Sequence, residues 1–471
     1  MNLNLDPAQL SREQVLELVR QLIAEIARLR AENEELKRKN ARSAAPFSKN
    51  KSKKNPQQPG RKPGQGTFRN RTAPPAEDYS GPPVDVPVNE TTCFDCGGDL
   101  VDDGEEIVTN TELPPAPKPQ IKAYRIKIRS CCKCKHKVRG RHPAVAADQF
   151  GATAHRIGPR AQAAVHLLHY GDGITVRKVP GVLKTLTGLC LTQGAITQSA
   201  LRLATGQGPI AEQYQQLRAN CPAQKAINTD DTGWRINGTP AQLMVFESSE
   251  QTVYQIRRQH RNEEVREAIG DHYQGVLGTD RGKSYDAKEL NDVDQQKCVA
   301  HIQRSINEVL ETKSGPARRF GNQLKSQLKT ALSLYHAFHE AEGQLPDYQD
   351  RVHQSDLEIT DHLRPRVLKD QDNHRLLNQI GGHHDRGNLL RFLHEPTTIE
   401  PTNNSAERAL RPAVIARKVS HCSKNDRGAE SFSAFKSTIQ TLKKRGGNLL
   451  EKLTQLIDRS PPDPTSASAT T

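Results

Sequence analysis

Three acidic residues have the spacing and surroundings of a metal site for phosphodiester chemistry. Asp230 lies in a strand-like segment, Asp280 ends the apolar segment 275–280, and Glu407 follows much later in the chain. Two divalent ions about 3.5–4 Å apart can activate an attacking oxygen and stabilise a leaving oxygen. Mg²⁺, or Mn²⁺ in its place, prefers oxygen ligands, so a few convergent carboxylates suffice to bind it. The acids therefore predict a catalytic metal centre formed by Asp230, Asp280 and Glu407.

Each of these acids also has a plain structural interpretation. Asp231 competes with Asp230, although neighbouring side chains on a strand point to opposite faces and only one of them can face the site. An Asp at the end of a strand, such as Asp280, is often a turn or capping residue. Asn404 followed by Glu407 is close to the capping box with which many helices begin. The sequence leaves these alternatives open.

A basic cluster follows Glu407. Arg408 and Arg411 lie one helical turn apart, and Arg417 and Lys418 come after them. Guanidinium and ammonium groups near acidic residues suit contacts with phosphate beside a metal. We therefore expect these four residues to contact the phosphates of DNA.

Two Cys-x-x-Cys pairs predict a structural zinc site. Thiolates two residues apart can bind one cation in a tight knuckle, and two such pairs complete a tetrahedral site. The chain has nine cysteines, and the absence of an export signal favours metal or free thiols over disulfides. The predicted Zn²⁺ ligands are Cys93, Cys96, Cys131 and Cys134.

The chain between the cysteine pairs has the pattern of a zinc ribbon. Strands are expected at Glu106–Val108 and Tyr124–Ile128. The spacer is longer than in common zinc fingers, and Cys132 or His136 is an alternative ligand. Residues 81–145 are thus predicted to form a zinc-binding domain.

A mixed α/β core must position the acids. From Lys225 onward three segments have strand character, followed by a helical stretch and a fourth strand, and Asn237-Gly238 predicts a tight hairpin. This order is that of a ribonuclease-H-like fold, in which the first and fourth strands are neighbours and each carries a catalytic carboxylate. The expected fold class is therefore α/β multidomain with a ribonuclease-H-like catalytic core.

The core is predicted to be interrupted by a helical insertion. Its first part is expected at 222–300 and its second part, with the helix of Glu407, at 396–458. Helical spacing of apolar residues predicts that the intervening 301–395 is mainly helical. The residues with this spacing are Phe320, Leu324, Leu328, Leu332 and Tyr335.

A heptad pattern predicts a coiled-coil helix within residues 1–40. Apolar residues alternate at spacings of four and three, and Asn33 falls on a position where a buried amide favours two strands. The seam residues are Val15, Val19, Leu22, Ile26, Leu29, Asn33 and Leu36. Ser11 and Gln14 fit a capping box at the start. The alternative is one amphipathic helix packed on its own chain.

Residues 41–80 are predicted to be a basic, disordered linker. The stretch 37–75 has no acidic residue, and a segment of this composition cannot bury enough apolar surface to fold alone. It is expected to act as a linker and also to neutralise DNA phosphates with salt-sensitive affinity. The basic residues expected to do so are Lys51, Lys53, Lys54, Arg61 and Lys62. The tail 459–471 is predicted to be disordered as well.

Residues 150–210 are predicted to be a helical, helix-turn-helix-like DNA-binding domain. A helix at Thr175–Leu186 would be followed by a turn at Gly188 and by a second helix at Gly194–Leu203, capped by Thr192. Pro180 fits poorly inside the first helix. A plain packing hairpin is the alternative.

The composition agrees with a polyanionic partner. Lys and Arg total 68 against 54 Asp and Glu, for a formal net charge of +14. This surplus suits nucleic acid, although it also serves solubility. No apolar run approaches ~18 residues, so no membrane helix is predicted. Acidic residues near the start interrupt any signal-peptide core, which favours a cytoplasmic protein.

Four motifs together resemble the IS66 family of insertion-sequence transposases. The motifs are Asp230-Asp-Thr-Gly-Trp-Arg235, Thr279-Asp-Arg281, Cys298-Val-Ala-His301 and Asn403-Asn-Ser-Ala-Glu-Arg-Ala-Leu-Arg-Pro412. The upstream coiled coil, basic arm and cysteine pairs follow the same layout, so that the resemblance extends from about residue 11 to 455. The chain departs from the family at Asp231, where Glu is usual, and at Val299, where an aromatic residue is usual.

The resemblance implies a transposase with a DDE triad of Asp230, Asp280 and Glu407. It implies double-stranded DNA as the partner, both the terminal repeats of the element and the target. It also implies a homo-oligomer, expected to be a dimer, and accessory proteins of the same element in the bacterial cytoplasm near the nucleoid. His301 is a further hypothetical site residue, although a single helical His is more often structural. The alternatives are a DNA-binding derivative without catalysis and a nuclease without strand transfer.

Overall fold

The computed structural model describes residues 12–42, 74–102, 104–111, 113, 118–146, 148–151, 154–364 and 367–458. The chain divides into two units. Lys49–Lys118 forms one, and Met1–Ser48 together with Pro119–Thr471 forms the other. The following predicted features lie outside the described residues: Ser11, the tail 459–471, and the basic residues Lys51, Lys53, Lys54, Arg61 and Lys62.

Helices form most of the described secondary structure, together with one five-stranded and one two-stranded sheet. The strands are β1 (Ile128–Ser130), β2 (Lys137–Arg139), β3 (Ala226–Ile236), β4 (Thr239–Glu247), β5 (Thr252–Arg257), β6 (Val276–Thr279) and β7 (Gln295–Lys297). The first six helices are α1 (Arg12–Arg42), α2 (Pro159–His166), α3 (Val179–Thr187), α4 (Gln193–Ala204), α5 (Pro209–Ala219) and α6 (Asn262–Ile269). The others are α7 (Val299–Leu310), α8 (Gly315–Glu340), α9 (Tyr348–Leu363), α10 (Gln371–Asp385), α11 (Arg391–His394), α12 (Asn404–Ser420), α13 (Asp426–Lys444) and α14 (Leu449–Ile457). The general expectation of a mixed α/β protein is confirmed.

The five-stranded sheet has the order β5-β4-β3-β6-β7. The strands β3, β4 and β5 are antiparallel neighbours, whereas β6 and β7 run parallel to β3. Asn237 and Gly238 join β3 to β4 with φ angles of 51° and 76°, as a two-residue type I′ turn requires. Because α6 returns the chain to the start of the sheet, β6 lies beside β3. The first and fourth strands of the sheet are therefore neighbours.

One edge of the sheet is covered by side chains of α13. Ser437 Oγ accepts the backbone N–H of Tyr254 at 2.8 Å, and Thr441 Oγ1 accepts that of Thr252 at 3.1 Å. Ser437 and Thr441 are four residues apart, so they lie on one face of the helix. The hydroxyls thus accept hydrogen bonds from N–H groups of β5, which has no further strand beside it at this edge.

The opposite edge is covered by the loop before α11. The backbone carbonyl of Asn388 accepts the N–H of Lys297 at 2.8 Å, and its side-chain oxygen accepts that of Gln295 at 3.3 Å. Asn388 itself is only 6% exposed. The N–H groups of β7 are therefore paired without a further strand.

The residues between β7 and α12 are largely helical. Helices α7 to α11 pack around a second cluster of buried apolar side chains, which is separate from the cluster that packs on most of the sheet and which includes Val276 of β6. Leu324 and Leu328 of α8 are fully buried, in keeping with their one-turn spacing. This helical part separates the strands from α12 in the sequence.

Helices α3 and α4 are two short helices about a tight turn. Gly188 ends α3 with φ of 69°, which suits glycine at this position. Thr192 caps α4, because its Oγ1 accepts the N–H of Ala195 at 3.2 Å. Pro180 lies in the first turn of α3, where proline is well tolerated. The predicted cap is confirmed, and the proline no longer argues against the helix.

The strands predicted between the cysteine pairs are wrong. Glu106–Val108 has no strand, and only the last residue of Tyr124–Ile128 belongs to a strand. The described hairpin is instead β1 paired with β2, in which Arg129 lies opposite Val138. The turn between these strands contains the second cysteine pair, so the turn around these cysteines sets how β1 pairs with β2.

Helix α1 carries the predicted apolar seam on its surface. Its described apolar side chains are 41–62% exposed: Leu16, Val19, Leu22, Ile23, Ile26 and Leu29. The heptad therefore forms a helix, and its pairing with a second helix stays a prediction. No helix within the described ranges is both long and apolar enough to span a membrane.

Candidate active site

The register of two strands aligns Asp230 with Asp280. Parallel strands β3 and β6 set Asn228 opposite Gly278. Continuing this register by two residues sets Asp230 opposite Asp280, which directly follows β6. Residues two apart on a strand share a face, and paired residues of parallel neighbours point the same way. The sheet thus aligns the two acids on one face.

A contact among β3, β6 and α12 fixes the start of the helix that carries Glu407. Asn228 Nδ2 donates to Ser405 Oγ at 2.6 Å. The side chain of Asn228 fills the space at Gly278, where an added Cβ would lie 1.8 Å from Asn228 Oδ1. Glycine at 278 therefore leaves room for the bond that holds the first turn of α12 near Asp230.

Asn403 ties α12 to the sheet from inside the core. It is 1% exposed, its Nδ2 donates to the carbonyl of Thr229 at 2.7 Å, and its N–H donates to Cys298 Sγ at 3.3 Å. Asn403 is the residue before α12 and makes no side-chain capping bond. The capping box suggested by Asn404 and Glu407 is therefore wrong, because the helix begins one residue earlier than that motif requires.

Asp231 contacts the opposite side of the sheet. Its carboxylate pairs with His260 Nδ1 at 3.1 Å, and His260 in turn packs against the ring of Tyr285. Adjacent residues of a strand alternate between faces. These contacts favour Asp230 as the acid that shares a face with Glu407.

Burial and neighbouring charges raise the pKa of Asp230 to about 7. Burial is the largest cause, because it disfavours the charged carboxylate. A hydrogen bond from the N–H of Asp231 at 2.9 Å lowers the pKa. The charges of Asp231, Asp280 and Glu407 raise it again. The three predicted acids therefore influence one another electrostatically, although they are distant in the sequence.

His301 lies beside Glu407. Its Nε2 is 3.9 Å from Glu407 Oε1, and a hydrogen bond with Cys298 raises the pKa of the imidazole, with burial opposing it. Burial raises the pKa of the Cys298 thiol, but hydrogen bonds with His301 and Asn403 outweigh it and leave this pKa lowered. Sequence reasoning gave Cys298 and Asn403 no role at the site. Their only signal was their place inside the motifs.

The donor set of the site suits a hard divalent cation. Among the residues that the structure describes, no three His, Cys, Asp or Glu side chains are grouped closely enough to hold one metal ion. Asp230 and Asp280 accept backbone N–H groups instead, the latter from Gly282 at 2.7 Å. Three mutually repelling carboxylates are nevertheless the all-oxygen set that Mg²⁺ or Mn²⁺ prefers, and a cation would relieve their repulsion.

The basic residues of α12 fall into two groups. Arg417 Nη1 donates to Thr232 Oγ1 at 2.8 Å and to the carbonyl of Gly233. Arg417 therefore fastens α12 to β3, a role that sequence reasoning did not assign to it. The other three predicted DNA contacts are exposed to solvent: Arg408, Arg411 and Lys418.

The first cysteine pair forms a knuckle within the unit Lys49–Lys118. The carbonyl of Cys93 accepts the N–H of Gly97 at 2.8 Å, and the N–H of Cys93 donates to the carbonyl of Gly98 at 2.8 Å. Gly97 has φ of 74°, which glycine adopts readily. Backbone hydrogen bonds from Cys96 and Asp95 lower the pKa of the Cys93 thiol.

The second cysteine pair, in the other unit, repeats this pattern. The carbonyl of Cys131 accepts the N–H of Lys135 at 3.0 Å, and the N–H of Cys131 donates to the carbonyl of His136 at 2.9 Å. Backbone hydrogen bonds from Cys134 and Lys133 lower the pKa of the Cys131 thiol. Each knuckle favours the thiolate form that Zn²⁺ binds.

Comparison with known families identifies the chain. The family described as "Transposase IS66 family" matches residues 155–431, more than half of the chain, including the five-stranded sheet and all three acids. No curated protein matches the chain at a significant level. Transposases of the DDE type bind DNA, act as nucleases and transferases, and typically need a divalent metal. The chain therefore belongs to the IS66 family of transposases.

Proposed function

We propose that this transposase cuts and joins the ends of an insertion sequence at a ribonuclease-H-like core. Asp230, Asp280 and Glu407 are the proposed ligands of Mg²⁺ or Mn²⁺. The observation that carries the proposal is the strand register, which sets Asp230 opposite Asp280 on one face of the sheet, while Asn228 and Asn403 hold the start of the Glu407 helix against β3. The order of three strands, a helix and a further strand supports the core assignment, because the acids then lie on neighbouring strands.

The proposed reaction has two steps at the same site. Water attacks the phosphorus at the end of the element, and the bond to the 3′-oxygen breaks, which frees a 3′-hydroxyl. This hydroxyl then attacks a target phosphodiester, forming one P–O bond while another breaks. Bound divalent ions supply an activated attacking oxygen and a stabilised leaving oxygen.

The side chains around the acids have supporting roles in this proposal. Asn403 and Ser405 hold the first turn of α12, and with it Glu407, against β3. His301, 3.9 Å from Glu407, orients that carboxylate. Arg408 and Arg411 are exposed on the same helix and bind the phosphates that flank the reacting bond.

The remaining segments are proposed to bind DNA and to assemble the complex. Helices α3 and α4 act as a helix-turn-helix-like reader, and the basic residues 41–80 and Lys418 neutralise phosphates. Zn²⁺ is bound by Cys93, Cys96, Cys131 and Cys134, with Cys132 or His136 as the alternative ligand. The exposed seam of α1 pairs two protomers so that both element ends are held together. Accessory proteins of the element join this complex in the bacterial cytoplasm.

The test is strand cleavage and joining on labelled element-end DNA with Mg²⁺ or Mn²⁺. Asp280→Ala is expected to reduce both activities by on the order of 10³-fold or more while DNA binding persists. Asp292→Ala, an exposed acid in the loop after β6, is the matched control and should retain activity.

Three outcomes would contradict the proposal in different ways. Equal activity of the native chain and Asp280→Ala would reject the triad. Nicks without joined products would identify a nuclease without strand transfer. Binding to DNA with no cleavage by the native chain, even with the accessory proteins added, would identify a DNA-binding derivative.

A further inference from the structure

A cavity lies beside the end of β3, between α4, α13 and the loop after α12. It has a volume of about 170 Å³. Its apolar lining includes Tyr170, Phe432 and Trp234, which is the single tryptophan of the chain. The rings of Trp234 and Phe432 lie 4.9 Å apart between centroids. The cavity is therefore small and aromatic.

The loop that closes one side of the cavity is fastened to the end of β3. The Nε1 of Trp234 donates to Ser423 Oγ at 3.2 Å, and Ser423 forms a bridge with Ile236. His421 and Cys422, just before it, have φ angles of 59° and 71°. Positive φ is costly for residues other than glycine, so the surrounding contacts hold this loop in a strained conformation.

A buried hydroxyl in the lining lacks a partner. Ser431 is 2% exposed, and its Oγ has no hydrogen-bond partner among the described residues. An unpaired buried hydroxyl lowers the stability of the folded protein. Lys424, also in the lining, is exposed to solvent. The cavity thus offers aromatic surface, a free hydroxyl and a cation at its rim.

The cavity lies on the same face of β3 as Asp230. Asp230, Thr232 and Trp234 are alternate residues of the strand and so share one of its faces. Four residues at ~3.3 Å per residue separate Asp230 from Trp234 by ~13 Å. This length equals about four nucleotides of a stacked DNA strand at ~3.4 Å each.

We propose that this cavity receives a nucleobase extruded from DNA within about four nucleotides of the bond that is cut. The inference rests on the proposed function, because the site at Asp230 must hold the reacting phosphate. A base has the flat apolar faces that Trp234, Tyr170 and Phe432 suit, and polar edge atoms that pair with Ser431 Oγ. Lys424 contacts the adjoining phosphate. Stacking of the base on aromatic side chains offsets much of the free energy that is lost when the base leaves the DNA stack.

The test combines a blocked cavity with removal of single bases. Ser420 lines the cavity at the end of α12, and Ser420→Trp should fill it. Val419→Trp adds the same side chain at the neighbouring residue, which is 49% exposed and outside the lining. Affinity for element-end duplexes is measured in full-length chains that also carry Asp280→Ala, so that the DNA stays uncut. Each duplex lacks one base, at successive positions on either side of the cleaved bond.

The expected result is that the effect of Ser420→Trp on DNA affinity depends on whether one particular base is present. Ser420→Trp should weaken binding of the intact duplex about tenfold, and should have little effect on the duplex that lacks the extruded base. Val419→Trp should show no such dependence. Coupling at no position, with cleavage by the native chain intact, would overturn the cavity proposal and leave the proposed function standing. No cleavage and no binding of end DNA by the native chain would overturn both.

Ser431→Ala provides an independent measurement. Removing the unpaired hydroxyl should leave the thermal stability unchanged or higher, and should weaken binding of the intact duplex several-fold. A destabilised variant with unchanged DNA affinity would show that the hydroxyl is structural, which would contradict its proposed contact with a base.

Discussion

The acidic site and the cysteine knuckles are held by opposite means. Asn403, which fixes the helix of Glu407, is buried and bonds to Thr229, 174 residues away in the sequence. The knuckles are held by backbone hydrogen bonds that span at most five residues, such as Cys93 to Gly98. No described residue from 74 to 151 is buried. The acids are thus assembled by a core despite their repulsion, whereas the knuckles form locally and have no core to support them.

Loss of the proposed zinc ion should have the largest effect, because it would unfold the cysteine knuckles. Zinc binding contributes on the order of 10 kcal/mol to the folding of small zinc domains, and the knuckles lack buried apolar surface to replace it. Cys131→Ser should therefore release zinc and make residues 74–146 sensitive to trypsin, while the thermal transition of the core persists. Zinc content by mass spectrometry and limited proteolysis measure both.

The control variants for zinc are Cys132→Ser and His136→Ala. If the four predicted cysteines are the ligands, both variants should retain zinc and protease resistance. Loss of zinc in either one would assign that residue as a ligand. Unchanged proteolysis of Cys131→Ser would show that the segment does not depend on the metal.

Removal of the Asn403 amide should have the next largest effect. Asn403→Ala leaves the Thr229 carbonyl without its donor inside the core, which should lower the free energy of unfolding by about 2–3 kcal/mol. Asn404→Ala, at an exposed neighbouring position, should change it by less than about 0.5 kcal/mol. Urea unfolding measures both, and equal values would mean that Asn403 does not hold the helix.

Neutralising Asp230 should cause no loss of stability and should instead stabilise the folded protein. With a folded pKa of about 7 against an ordinary value of 3.8, the folded state binds the proton more tightly than the unfolded state. Stability is therefore lost as pH rises from about 4 to 7. At pH 8 without divalent ions, Asp230→Asn should be more stable than the native chain by up to about 4 kcal/mol, with the difference vanishing below about pH 4.

The matched control for this gain is Asp231→Asn. It relieves part of the repulsion on Asp230 but also removes the ion pair with His260, so it should give a smaller gain than Asp230→Asn or none. Unfolding at pH 4 and pH 8 distinguishes the two variants. A loss of stability in Asp230→Asn at pH 8 would contradict the view that the acidic site is assembled at an electrostatic cost.

Local patterns were sufficient to predict the strands that carry two of the acids. The turn Asn237-Gly238 and the apolar segment ending at Asp280 both mark strand boundaries. The capping hydroxyl of Thr192 could be predicted for the same reason, since it accepts a hydrogen bond from a residue only three positions away. These features depend on neighbours in the sequence, and local patterns predicted them correctly, although the same kind of pattern failed at Glu106–Val108.

Features set by distant contacts were missed. Asn404 and Glu407 resemble a capping box, and nothing nearby shows that the helix instead follows Asn403, whose amide contacts β3. Arg417 resembles a DNA contact, although Thr232 and Gly233 bind it. The unpaired hydroxyl of Ser431 has no local signature at all, because its environment comes from four separate segments.

The covered edges of the sheet limit how copies of this protein can assemble. Hydroxyls of α13 and the loop at Asn388 already occupy the N–H groups of β5 and β7. A second chain cannot extend the sheet by strand addition without displacing them. The two edges of the five-stranded sheet are therefore closed to pairing between copies, which protects the transposase against strand-mediated aggregation at this sheet.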